Sequence, residues 1–151
     1  MNGYYYLINT LKNYLKDGGF INTVTVGDIS DVDLSKQTIF PLNHIMVNNG
    51  QPGDAIVTWN VSILFMDLVD ESKSIITDIW EGNDNTQDIL NTQSALATRL
   101  VTDLTRGDLF DDLVQLVNTP TMEPFTDRFE NKLAGWTLTF DVAIPNDMTA
   151  C

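Results

Sequence analysis

Apolar residues recur at helical spacing near the start of the chain. Within residues 4–16, Leu7, Ile8, Leu11 and Leu15 form one stripe, with Tyr4 and Tyr14 beside it. Asp17-Gly18-Gly19 closes that helix, because glycine readily takes the left-handed conformation used at helix C-termini. Residues 20–26 then read as a strand rich in β-branched side chains. Two apolar runs, 44–47 and 55–68, flank a stretch containing Asn-Gly and Pro-Gly, which predicts an antiparallel hairpin with an extended loop over 48–54. The second arm alternates Val57, Trp59, Val61, Ile63 and Phe65 against Thr58, Asn60 and Ser62. A long helix over 87–105 places Ile89, Leu90, Leu96, Ala97, Leu100, Val101 and Leu104 largely on one face, and Arg106-Gly107 ends it. Residues 113–117 read as a further strand, followed by an irregular stretch from Thr119-Pro120-Thr121. The cleanest alternation comes last. Trp136, Leu138, Phe140, Val142 and Ile144 oppose Thr137, Thr139, Asp141 and Ala143, which marks a sheet with one packed face and one wetter or partner-covered face.

The resulting order is α-β-β-β-α-β-β. Consecutive strands between two helices predict an α+β fold: a single domain over residues 1–151, with an antiparallel sheet and two main helices packed on it. An acidic insertion occupies about 67–88 and contains Ile75, Ile76, Ile79 and Trp80, so an element that docks is expected there. Asn83 to Thr86 offer N-caps for the long helix, and the tail 146–151 is expected to be flexible or at an interface.

Composition narrows the partners. The net charge is −13, with 8 basic residues against 21 acidic ones, and the basic residues are scattered singly. No basic stripe exists to neutralise a phosphate backbone, so specific DNA binding is not expected. The charge reads as solubility, or as a surface that must not stick to DNA passing nearby. No apolar run approaches the ~20 residues needed to span a bilayer. Residues 1–6 lack the basic and apolar regions of a signal peptide, so cytoplasmic synthesis without export by that route is expected. Cys151 is the single cysteine, which leaves neither an intramolecular disulfide nor a thiol pair for a metal.

Catalytic chemistry has few places to sit. His44 is the lone histidine, and with no nucleophile in a recognisable elbow it reads as an ordinary surface or edge residue. Asp28, Asp31 and Asp33, like Asp84, Thr86 and Asp88, lack the glycine and terminal glutamate of an EF-hand loop, and read as turn and cap residues. Asp111 and Asp112 are adjacent and would point to opposite faces of a strand. No glycine-rich phosphate loop or dinucleotide fingerprint occurs. No enzyme activity, cofactor or metal is expected. Trp59, Phe65, Trp136 and Phe140 read as core. Trp80, Phe125 and Phe129 are harder to bury in one domain; they read either as satellite packing under a loop or, with Glu123 and Arg128, as the candidate subunit contacts, Arg128 being suited to a neighbour's carboxylate.

Several segments together resemble a family of small virion proteins of tailed bacteriophages. They are Tyr5-Tyr6-Leu7-Ile8, Val26-Gly27-Asp28-Ile29, Phe40-Pro41-Leu42-Asn43-His44-Ile45, Asn83-Asp84, Arg106-Gly107-Asp108-Leu109-Phe110, the run from Glu123-Pro124-Phe125 through Leu133-Ala134-Gly135-Trp136, and Ile144-Pro145-Asn146. Within that group the chain looks like a tail terminator. The resemblance implies a homo-oligomeric, hexameric ring that caps the tail tube and meets a neck, head-completion or portal-proximal protein. It also implies a virion location and DNA that passes through without specific binding. A ring needs two different patches on each subunit, and the 48–54 loop and residues 123–133 are the candidate extensions. Asp54, Asp70 and Glu71 are the candidate lumen acids. A neck or head-completion adaptor is the alternative within the virion; an acidic cytoplasmic protein-binding module is the alternative of another class.

Overall fold

The computed structural model describes residues 3–18, 21–28, 39–69, 86–126 and 133–145. Leu7, Ile8, Leu11 and Leu15 are the buried side of helix α1 (Gly3–Asp17), as their spacing predicts. Strand β1 (Thr23–Val26) leads to a long hairpin of β2 (Leu42–Pro52) and β3 (Ile56–Leu68). Helix α2 (Thr86–Arg106) and a single turn, α3 (Asp108–Asp111), precede β4 (Gln115–Thr126) and β5 (Leu133–Pro145). The five strands form one sheet in the order β1-β2-β3-β5-β4.

This is the expected single α+β domain, with one departure in the sheet. β1 pairs with β2 in parallel, Thr23 opposite Leu42 and Val26 opposite Ile45, so the sheet is mixed. Other boundaries also shift. The expected 48–54 loop is mostly strand: pairing continues to Pro52 opposite Val57, and Gly53 N–H donates to Ile56 O at 2.9 Å. An extra residue at Asn48 bulges β2 and lets the pairing resume beyond it. Residues 119–121, expected to be irregular, belong to β4, which interrupts its pairing between Val117 and Thr121 and resumes. Asp111 and Asp112 lie at the end of α3 rather than on a strand.

Both helices cover one face. Val61, Ile63, Phe65, Leu138, Phe140, Val142 and Ile144 pack with Leu100 and Leu104 of α2 and the α1 stripe in the main cluster, with Leu96 and Trp59 half-buried at its margin. Trp136 Nε1–H donates to Leu90 O at 2.8 Å and ties β5 to α2. A second cluster lies on the opposite face at one end of the sheet: Phe40, Leu42, Leu64, Met66, Phe125 and Leu133. Gly135 permits the close strand approach there, because a Cβ at this position would lie 1.8 Å from Phe65 O. At the other end Trp59 lies over Gly50, its cross-strand neighbour, in the space a Cβ would fill.

Candidate interaction surfaces

His44, the lone histidine, is wholly buried. It stands opposite Thr25 in the parallel β1–β2 pair. Its Nε2 lies 2.7 Å from Gly27 O and its Nδ1 2.7 Å from Thr25 Oγ1. A carbonyl only accepts, so Nε2 carries the proton, and Nδ1 accepts from the threonine hydroxyl. Burial lowers the pKa of the ring, against the raising influence of the Gly27 carbonyl and the Asp28 charge, and favours this neutral form. Both ring nitrogens are occupied in joining two strands. The expected surface residue is therefore a structural one, because its two polar atoms find partners where β1 turns away.

The face away from the helices changes character along its length. Beyond the second cluster it carries a row of bonded polar side chains that crosses four strands. Asn48 Nδ2 donates to Asn60 Oδ1 and to Ser62 Oγ, each at 2.8 Å; Asn60 Nδ2 donates to Asp141 Oδ1 at 2.8 Å; Asn118 Nδ2 donates to Asp141 Oδ2 at 3.0 Å. Ser62 and Thr139 hydroxyls lie 3.1 Å apart. Amide donors from Asn60 and then Asn118 hold the Asp141 carboxyl below the usual carboxylate range, outweighing the effect of burial. This half of the sheet is polar, and Asp141 is the acid within its bonded row.

Between α1, α2 and α3 runs an open groove of about 360 Å³, lined by Asp17, Asp108, Asp112, Arg99, Tyr14 and neighbours. Tyr14 donates its hydroxyl proton to Asp103 Oδ2. Burial, the bond to Asp103 and its charge together push the phenol pKa upward. The groove is acidic around a single arginine, a setting for a basic group of a partner. Among the described residues no group of three or more His, Cys, Asp or Glu side chains is arranged to hold a metal ion.

One end of the molecule gathers exposed apolar side chains, with the exposed carboxylates of Asp54, Asp111 and Asp112 among them. Among the described residues Tyr4, Tyr5, Val26, Ile56, Phe110 and Leu113 are the exposed large hydrophobics, and all but Val26 lie toward the β2–β3 turn. The contacts that place them there are specific. Tyr4 meets the Trp59 ring edge-on at 5.7 Å, Ile56 pairs with Pro145, and Tyr6 donates its hydroxyl proton to Asp112 O beside Leu113. Leu113 has φ 68°, a conformation that a leucine adopts at a cost, and it holds an apolar side chain outward.

Of the candidate contact residues, Glu123 is exposed on β4, whereas Phe125 is buried in the second cluster and serves the fold of its own chain. For Phe125 the packing alternative holds, and it is not an exposed contact residue of the subunit. Trp80, Arg128 and Phe129 lie outside the described residues, as do Asp70 and Glu71. Asp54 is exposed at the hairpin turn. The sequence does not display this apolar end, because Tyr4 lies beside a helical apolar stripe and Ile56 inside an apolar run, and only the fold leaves both side chains outside. No model of a known protein family matches the chain, and no curated protein matches it.

Proposed function

We propose that this chain is a structural virion protein of a tailed phage, assembling into a ring that ends the tail tube and joins it to the head or neck. The apolar end carries the reading. Five exposed hydrophobic side chains gather on one end of a strongly acidic subunit, bordered there by Asp54, Asp111 and Asp112, where a stacked ring needs apolar contact with the ring above or below. The resemblance to tail terminators agrees with this; its described residues fall on α1, the end of β1, the entry to β2, the α2–α3 junction, β4 and β5, while Ile29, Asn83-Asp84, 127–132 and Asn146 lie outside the described residues. Asp54, at the turn beside that end, is the described acid that we assign to the bore.

A neck adaptor ring would use the same end in the same way, and the position of the protein in the virion separates the two. The acidic groove favours a second reading of another class, a monomeric module that receives a basic partner.

The test is electron microscopy with light scattering on the purified protein, alone and with tail tubes. Closed rings of about six 16.9 kDa chains, seated on tube ends, are the expected result. Protein that stays monomeric in both settings, or that grows open filaments, overturns the ring.

A further inference from the structure

The sheet has two outer edges, and they differ. β1 covers β2 only from Leu42 to Ile45, and Gly27 then turns away at φ 115°. Among the described residues nothing pairs with β2 on that side over 46–52. On the far side β4 has no described strand beyond it.

The direction of the main-chain groups follows from one bond. Gly27 N–H donates to Ile45 O at 3.0 Å, so Ile45 faces outward from β3, and Val47 with it. Alternate residues of an antiparallel ladder bond to opposite sides. Across the bulge this alternation sets Gly50 outward, and Gly53, bonded to Ile56, is inward as the same alternation demands. Carried through β3 and β5, it turns Thr121 and Glu123 of β4 inward and Leu116, Met122 and Pro124 outward. Pro124 is the internal check, since a proline is tolerated on an edge strand where its missing N–H faces away from the ladder.

Exposed edges are normally blunted by charge, proline or bulges. Each edge here has an irregularity and a proline (Asn48 and Pro52 on β2, 117–121 and Pro120 on β4) but not the charge. Here residues 46–52 contain no charged side chain, and 115–122 contain none either, in a chain whose net charge is −13. Two copies repel one another across most of their surfaces, and these edges are where they approach without that penalty. β2 and β4 also run antiparallel within the sheet, so β4 of one copy laid against β2 of the next continues the sheet with ordinary antiparallel pairing. That contact is head-to-tail, which is the kind that closes a ring.

We propose that the 115–122 edge of one subunit pairs with the 46–52 edge of its neighbour. This rests on the ring reading above and names its side-to-side contact.

Two double variants test it: Asn49→Lys with Gln51→Lys on one edge, and Thr119→Lys with Thr121→Lys on the other. All four side chains are exposed, so folding, read by circular dichroism, should be unchanged. Each variant should lose ring formation, by light scattering, although added lysines lower the net charge and weaken repulsion. Mixed together, the two retain one intact edge of each kind and should form 1:1 dimers that go no further. Asn91→Lys with Thr98→Lys, exposed on α2, should leave rings intact. Rings that survive both edge variants would overturn the edge pairing while leaving the ring itself standing. A single edge variant that forms dimers by itself, or a mixture that stays monomeric, overturns the head-to-tail pairing. A wild-type chain that makes no ring even on tail tubes defeats the functional reading instead.

Discussion

At the scale of single residues, His44 couples folding to pH. Its folded-state pKa lies below the ordinary value of 6.5 because the buried ring resists charging. The unfolded chain therefore takes up a proton first as pH falls. The stability this group contributes is full above about pH 6.5 and declines as pH drops below that value. Urea unfolding at pH 7.5 and 5.5 should show a lower midpoint at 5.5, and His44→Leu should remove much of that difference. The substitution also removes the bonds to Thr25 Oγ1 and Gly27 O, at a cost of about 0.5–1.5 kcal/mol for each bond, since Thr25 is half-buried and Gly27 exposed and water can reach them. An unchanged wild-type midpoint would show that the ring titrates as an exposed one. Asp67 acts with the opposite sign. Burial raises its pKa, against the lowering effect of the Leu68 N–H that it accepts at 2.8 Å. Its contribution is present below pH 3.8 and lost as pH rises through the raised value. Asp67→Asn keeps an acceptor for that N–H and should raise the urea midpoint at pH 7; a lowered midpoint would contradict this.

At the scale of elements, α2 is held to the sheet by Leu100 and Leu104, both fully buried, and by the Trp136–Leu90 bond. Leu100→Ala should cost about 2–5 kcal/mol by chemical denaturation, the sum of lost transfer energy and an unfilled cavity. A cost below 1 kcal/mol would mean that the site collapses around the gap. Gly135→Ala is the stricter test of strand packing. Its Cβ would fall on Phe65 O, a backbone atom that no rotamer change can move, so β3 and β5 must separate. Loss of at least about 1–3 kcal/mol is expected. These elements were legible in the sequence: α1, α2, β3 and β5 each repeat an apolar residue at the period of their own geometry over nine or more residues. β4 was harder to read. Pro120 and Pro124 break its pattern, yet an edge strand tolerates both, and edge position is a property of the sheet rather than of the segment.

At the scale of the whole molecule, charge sets the terms of assembly. Two unit charges 10 Å apart interact by only about 0.4 kcal/mol in water, but every acid is repeated in each subunit of a ring. Screening tightens from a Debye length of about 10 Å at 0.1 M salt to about 3 Å at 1 M. Ring formation, followed by light scattering, should therefore strengthen with added salt. Weakening with salt would instead indicate ion pairs between subunits. Within an assembled ring Asp54 should face the bore; a ring with Asp54 on its outer wall would return the net charge to a role in solubility alone.

Local pattern by itself determined the helices, the principal strands and the mean charge, because periodicity and composition are properties of neighbouring residues. The α+β class followed from their order. Only the tertiary structure decided the parallel β1–β2 pair, which depends on where the chain returns after Gly27. The same holds for the burial of His44: one nitrogen meets the strand beside it and the other the carbonyl just past that strand's end, and no spacing along the chain displays that meeting. Phe125 became core for a similar reason, since the second cluster gathers residues from β2, β3, β4 and β5 that are distant in sequence. The apolar end and the two uncharged edges arise last of all. They are what remains outside once every strand has chosen its neighbours.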